Sequence, residues 1–119
     1  MPTRDRSTGE QRVVLTAEVE EVEALLLAAP DLDIVVAAPA DLARRVTDLR
    51  PRVAVWAGSD ATAGLAAMTV LRTARTGARL LFVTPAEAEA ERLAALEAGV
   101  DEAVGRPISM SELTGRIRL

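Results

Sequence analysis

The chain has 119 residues, a formal charge of −4, no Cys, His or Tyr, and all 14 of its basic residues are Arg. That length suits one single-core domain rather than two. The composition excludes disulfides, thiol chemistry and histidine acid–base catalysis, and the acidic balance argues against direct nucleic-acid binding, which needs a basic face. No apolar run approaches the roughly 20 residues of a membrane span, and a Cys-free chain with a non-secretory N-terminus suits a cytoplasmic protein.

Trp56 and Phe82 are the only aromatic residues, so the core must be built from Ala, Val, Leu and Ile. Residues 1–11, MPTRDRSTGEQ, are polar and aperiodic and read as a flexible leader, leaving 12–119 as the domain. Val13-Val14-Leu15 is a short apolar run of the kind expected for a strand covered on both faces. A helix follows, with Val19, Val22, Leu26 and Ala29 as its inward stripe and Glu20, Glu21 and Glu23 opposite, and Pro30 ends it. Ile34-Val35-Val36 is the second strand, and Pro39 opens a helix with Leu42, Val46 and Leu49 inward.

Pro51 precedes a third strand, Val53-Ala54-Val55-Trp56, and a Gly58-Ser59-Asp60 turn leads into a helix using Leu65, Met68 and Leu71. Leu80-Leu81-Phe82-Val83 is the fourth strand, ending at Thr84. An acidic helix, a glycine stop at Gly99, a short strand over 100–104, Arg106-Pro107 and a closing helix begun by Ser109 or Ser111 complete the chain. Alternating strand and helix units with short connections predict an α/β fold, a parallel sheet of five strands with helices on both faces.

In such sheets the functional crevice lies at the carboxyl ends of the strands, next to the point where strand order reverses. Those ends carry Ala17 and Glu18, Ala57, Thr84 and Arg106. Thr16-Ala17-Glu18-Val19 has no glycine, which excludes a dinucleotide fingerprint, and a phosphate-binding P-loop fails for the same reason and for want of any Lys.

The order and spacing of the last third, TPAEAEAERLAALEAGVDEAVGRPISMSELTGRIRL, resemble the second half of a bacterial response-regulator receiver domain, and the resemblance extends over residues 12–119. It implies a three-layer α/β/α sandwich with strand order 2-1-3-4-5, the flavodoxin-like arrangement. Receivers carry two acidic residues after the first strand and an Asp ending the third; these hold Mg²⁺ and accept a phosphoryl group. The matching positions here are Ala17, Glu18 and Ala57, so one carboxylate remains of three. Thr84 matches the family's switch hydroxyl, Arg106 stands for the Lys of its Lys-Pro pair, and Ala103 takes the place of its mobile aromatic ring. The chain thus resembles an aspartate-less pseudo-receiver, with neither a metal nor a cofactor expected and no enzymatic activity.

Two residues leave alternatives. Asp60 reads either as a turn or helix-cap residue or as a displaced acceptor. Arg106 is expected to pair with Glu18 and lock the vacated pocket, or else to reach solvent. The resemblance also implies a homodimer face on the fourth helix, fifth strand and fifth helix, through Glu91, Arg92, Asp101, Glu102, Arg116 and Arg118. The alternative there is an ordinary solvated surface. Expected partners are a second copy and an effector domain or partner protein beyond residue 119, with no membrane contact. Three roles fit: a dimerisation module of a two-component transcriptional regulator, a docking domain of a pilus-assembly or localisation ATPase, and a small-molecule sensor.

Overall fold

The computed structural model describes residues 12–119; the proposed leader lies outside the described residues. Strands β1 (Arg12–Ala17), β2 (Asp33–Val36), β3 (Val53–Ala57), β4 (Arg79–Thr84) and β5 (Glu102–Gly105) are all parallel, in the order β2-β1-β3-β4-β5. Helices α1 (Val19–Ala28), α2 (Leu42–Leu49), α3 (Ala61–Ala74), α4 (Glu89–Glu97) and α5 (Met110–Arg118) connect and flank them. The α/β sandwich and its strand order are therefore as the sequence resemblance implies.

The period-two geometry of the strands divides the core in two. Val14, Ala54, Trp56, Leu80 and Phe82 face Leu42 and Val46 of α2, Met68 and Leu71 of α3 and Ala95 of α4. Val13, Leu15, Val53, Val55, Ala57, Leu81 and Val83 face Leu25 of α1 and Leu113 and Ile117 of α5. Every residue of β3 is buried, which is why its sequence is apolar throughout instead of alternating. The chain order reverses between β1 and β3, so the crevice opens above Ala17 and Ala57, which are direct register neighbours.

Three local expectations are corrected. The inward stripe of α1 is Val22, Leu25 and Ala29; Val19 and Leu26 are 68% and 46% exposed. The helix starts immediately after β1, and that start rotates Leu25 onto the sheet. Pro39 opens a single 3₁₀ turn, Pro39–Asp41, with α2 proper beginning at Leu42. β5 starts at Glu102, because Gly99, at φ +103°, turns the chain so that Val100 is buried as a plug behind α4. No helix among the described residues is long and apolar enough to cross a membrane.

The scarcity of aromatic residues concentrates packing on one contact. Trp56 and Phe82 are fully buried, and a Cβ built on Gly64 of α3 would lie 2.5 Å from Trp56 Nε1 and 2.6 Å from Phe82 Cε1. The indole N–H is buried and has no hydrogen-bond partner among the described residues. Only glycine lets α3 come this close to the two rings. Helix propensity alone favours Ala over Gly by about 1 kcal/mol, so the sign of the effect is informative. Gly64→Ala is expected to destabilise the domain by about 1–3 kcal/mol through overpacking, measured by denaturant unfolding followed through Trp56 fluorescence. A stabilised variant would contradict this packing.

Candidate functional site

The site is assembled by the register of the sheet. Ala17 ends β1, Ala57 ends β3 beside it, Thr84 ends β4, and the backbone N–H of Arg106, just beyond β5, donates to the Thr84 carbonyl at 2.8 Å. Above Ala57 lies a crevice of about 260 Å³, lined by Glu18, Glu20, Glu21, Ala57, Ser59, Pro85 and Arg106. Of the sequence-derived pocket residues, Glu18, Ala57 and Arg106 line this crevice; Ala17 lines a neighbouring cavity with Thr16, Trp56 and Asp60, and Thr84 is buried outside both linings.

Arg106 spans this crevice, and its partner differs from the expected one. Its Nη1 and Nη2 donate to Glu21 Oε2 and Oε1, each at 2.8 Å, and Nη2 also donates to the carbonyl of Ala57 at 2.6 Å. Glu18 is not the partner. It occupies the N-cap position of α1 in extended conformation and is exposed, with no capping hydrogen bond. Glu21, in the first turn of α1, reaches the guanidinium in the two-pronged geometry that Arg and a carboxylate form best. Glu21 raises the Arg106 pKa above its ordinary value through these hydrogen bonds. Partial burial opposes the rise, and the charges of Glu21 and then Glu18 add to it.

No side chain at Ala57 can act as a nucleophile, and among the described residues no three acidic side chains converge in a manner that could hold a metal ion. Asp60 is the N-cap of α3, its Oδ1 accepting from Ala63 N at 3.0 Å, which is the helix-cap role. Thr84 is fully buried. Its Oγ1 donates to the carbonyl of Pro85 at 2.9 Å and accepts from Arg92 Nη1 at 2.6 Å.

Five of the six charges assigned to a dimer face, all but Glu91, are engaged within the chain. Arg92 turns to Thr84 and to the carbonyls of Pro85 and Ala86. Asp101 Oδ2 accepts from Leu80 N at 2.8 Å. Glu102 bridges Arg79 and Arg116 at 2.7 Å each, and Arg116 also pairs with Glu112 at 3.0 Å. Arg118 points away from this group and pairs with Asp31 in the connection before β2 at 2.6 Å. Glu91 is half-buried on α4.

Sequence reasoning missed Glu21, the inward role of Arg92, and Arg79. The helical spacing of Glu21 after Glu18 offered a signal for the first. Arg79 also donates from Nη2 to the carbonyls of Arg116 and Ile117 at 2.7 Å, tying the end of α5 to the start of β4. That long-range contact has no local signature in the sequence.

The two-pronged contact predicts a specific coupling. In a double-mutant cycle, Arg106→Ala and Glu21→Gln should couple by about 1 kcal/mol, the upper range for a partly exposed pair. Arg106→Ala with Glu18→Gln should couple much more weakly. Equal coupling in the two cycles would contradict the assignment.

Comparison with solved structures places this fold. The chain superposes on the signal receiver domain of NarL from Mycobacterium tuberculosis with TM-score 0.75 and 19% identity, covering 92% of this chain and 94% of that one. The response regulator domain of Thermotoga maritima CheB gives TM-score 0.70 and 20% identity, with 92% and 94% covered. A pilus assembly-related protein of Burkholderia pseudomallei gives TM-score 0.71 and 21% identity, with 93% and 89% covered. No protein-family model and no curated protein matches the sequence. The chain has the fold of response-regulator receiver domains.

Proposed function

We propose that this domain is a receiver-type regulatory module that works without aspartyl phosphorylation, acting through protein contacts rather than chemistry of its own. The observation that carries this reading is the Arg106–Glu21 pair anchored on the Ala57 carbonyl. At the carboxyl end of β3 there is no acceptor side chain, and the cation on the wall of the crevice is already balanced by its own carboxylate. An incoming phosphoryl group would find no nucleophile, and Arg106 would have to leave Glu21 to stabilise it.

The output surface in this reading is the face formed by α4, β5 and α5, used for homodimerisation and for contact with an effector or partner protein. Among the described residues β5 is an edge strand, with one side of its backbone unpaired by any other strand. On α4, Leu96 stands one turn after Arg92, whose guanidinium lies against Gly105 of β5, so Leu96 is on the flank nearest that edge. Leu93 and Leu96 are 56% and 45% exposed. With Arg92, Asp101, Glu102 and Arg116 engaged internally, these leucines supply the apolar centre that an isologous contact requires.

A dimerisation module of a two-component transcriptional regulator fits these features. A docking domain in a pilus-assembly or localisation ATPase is a second reading, favoured by the likeness to the pilus assembly-related protein of Burkholderia pseudomallei.

Two outcomes are expected. Incubation with acetyl phosphate and Mg²⁺ should leave the intact mass free of any phosphoryl increment, and a stable acid-labile or base-labile adduct would contradict the phosphorylation-independent reading. In sedimentation equilibrium, Leu93→Glu with Leu96→Glu should weaken self-association at least about tenfold, the effect of losing roughly 1.4 kcal/mol at an interface centre. Unchanged association would remove this face as the dimer surface.

A further inference from the structure

Helix α4 begins without a side-chain cap: Ala88 stands at its N-cap position and makes no side-chain hydrogen bond. A cation in a helix's opening turns is also poorly placed with respect to the helix dipole, which favours anions there. Arg92 nevertheless sits in this stretch and bends back over it. Its Nη1 donates to Thr84 Oγ1 at 2.6 Å and to the Pro85 carbonyl at 2.9 Å, and its Nη2 donates to the Ala86 carbonyl at 3.2 Å. One side chain therefore holds three consecutive residues that link β4 to α4.

The seat for this side chain is made by a missing atom on the neighbouring strand. A Cβ built on Gly105 would lie 2.9 Å from Arg92 Cζ and Nη1 and 3.2 Å from Nη2. The guanidinium thus rests against the bare backbone of β5 while bonding to the end of β4. Gly105 is paired with Thr84 in the sheet register, so the seat and the buried hydroxyl face the same residue.

We propose that Arg92 is a latch that fixes the start of α4 onto the paired ends of β4 and β5, and that its release is the conformational change available to this domain's output face. The latch joins the buried Thr84 hydroxyl, beside the Arg106 crevice, to the helix that carries Leu93 and Leu96. It satisfies the carbonyls of Pro85 and Ala86 and so holds the loop 85–88 in one arrangement, without capping the N–H groups of the first turn. The latch itself rests on the geometry above; only its relevance to output rests on the docking reading.

Gly105→Ala is a selective probe, because the nearest atoms the added methyl meets belong to the far end of a flexible side chain, which can swing away. Hydrogen exchange followed by mass spectrometry on the full chain reads the result. Gly105→Ala and Arg92→Ala should each accelerate exchange in the peptide spanning 85–93 about tenfold, the effect of losing hydrogen bonds of ordinary strength. Peptides from β1 and β3 should be unchanged. The double variant should be no faster than either single one, because both remove the same contact. Arg92→Met, which keeps the apolar stem and removes the donors, should reproduce the loosening and provides a second route should Gly105→Ala fail to fold.

Unchanged exchange in Arg92→Met, or effects that multiply in the double variant, would overturn the latch. Self-association measured on the same proteins separates the two readings. Failure of the wild-type chain to associate counts against the output surface alone, and exchange that does not respond to Arg92 counts against the latch alone.

Discussion

The contact on which the rest of the site depends is the guanidinium of Arg106, held by both oxygens of Glu21 and by the carbonyl of Ala57. It joins three parts of the chain distant in sequence: the first turn of α1, the end of β3 and the connection leaving β5. A buried or half-buried cation is tolerated only when its donors are matched, and here they are matched by a carboxylate in fork geometry and by a backbone carbonyl at a strand end. The small side chains of Ala17 and Ala57 make this possible. A carboxylate at position 57 would compete with Glu21 for the same cation.

Arginine serves the same purpose at the neighbouring strand end. Arg92 bonds to Thr84 and to the two residues after it, seated on Gly105, while Arg79 holds the opposite end of β4 to α5. These side chains do with planar, multi-donor groups what a larger aromatic core would do by packing. That suits a chain with only Trp56 and Phe82 as aromatic residues, both of which are spent on the contact with Gly64 of α3. The layered core positions the strands, and the arginines fix the loops at their carboxyl ends.

The fold was legible because its signals are periodic and local. The apolar runs of β3 and β4, the prolines before β3 and after α1, and the glycine after α4 each state a boundary without reference to the rest of the molecule. That Ala17, Ala57, Thr84 and Arg106 lie at one end of the sheet followed from the strand ends alone. Partner choice was not legible, because it depends on helix rotation. α1 places Leu25 against the sheet, where the stripe through Val19 and Leu26 was expected, and Glu21 rather than Glu18 meets Arg106. In the same way, Arg92 and Arg118 carry the composition of a charged surface, yet one turns inward to Thr84 and the other crosses to Asp31. Long side chains report their charge in the sequence and their direction only in the structure.

The central claim is that the carboxyl end of β3 is occupied by the chain's own ion pair and does not take up a phosphoryl group. The most direct measurement is the ¹⁵N–¹H correlation spectrum recorded with and without beryllofluoride and Mg²⁺, a mimic of an aspartyl phosphate. The account predicts no change at the amides of Ala57, Thr84, Gly105 and Arg106. Saturable shifts at these amides would contradict it.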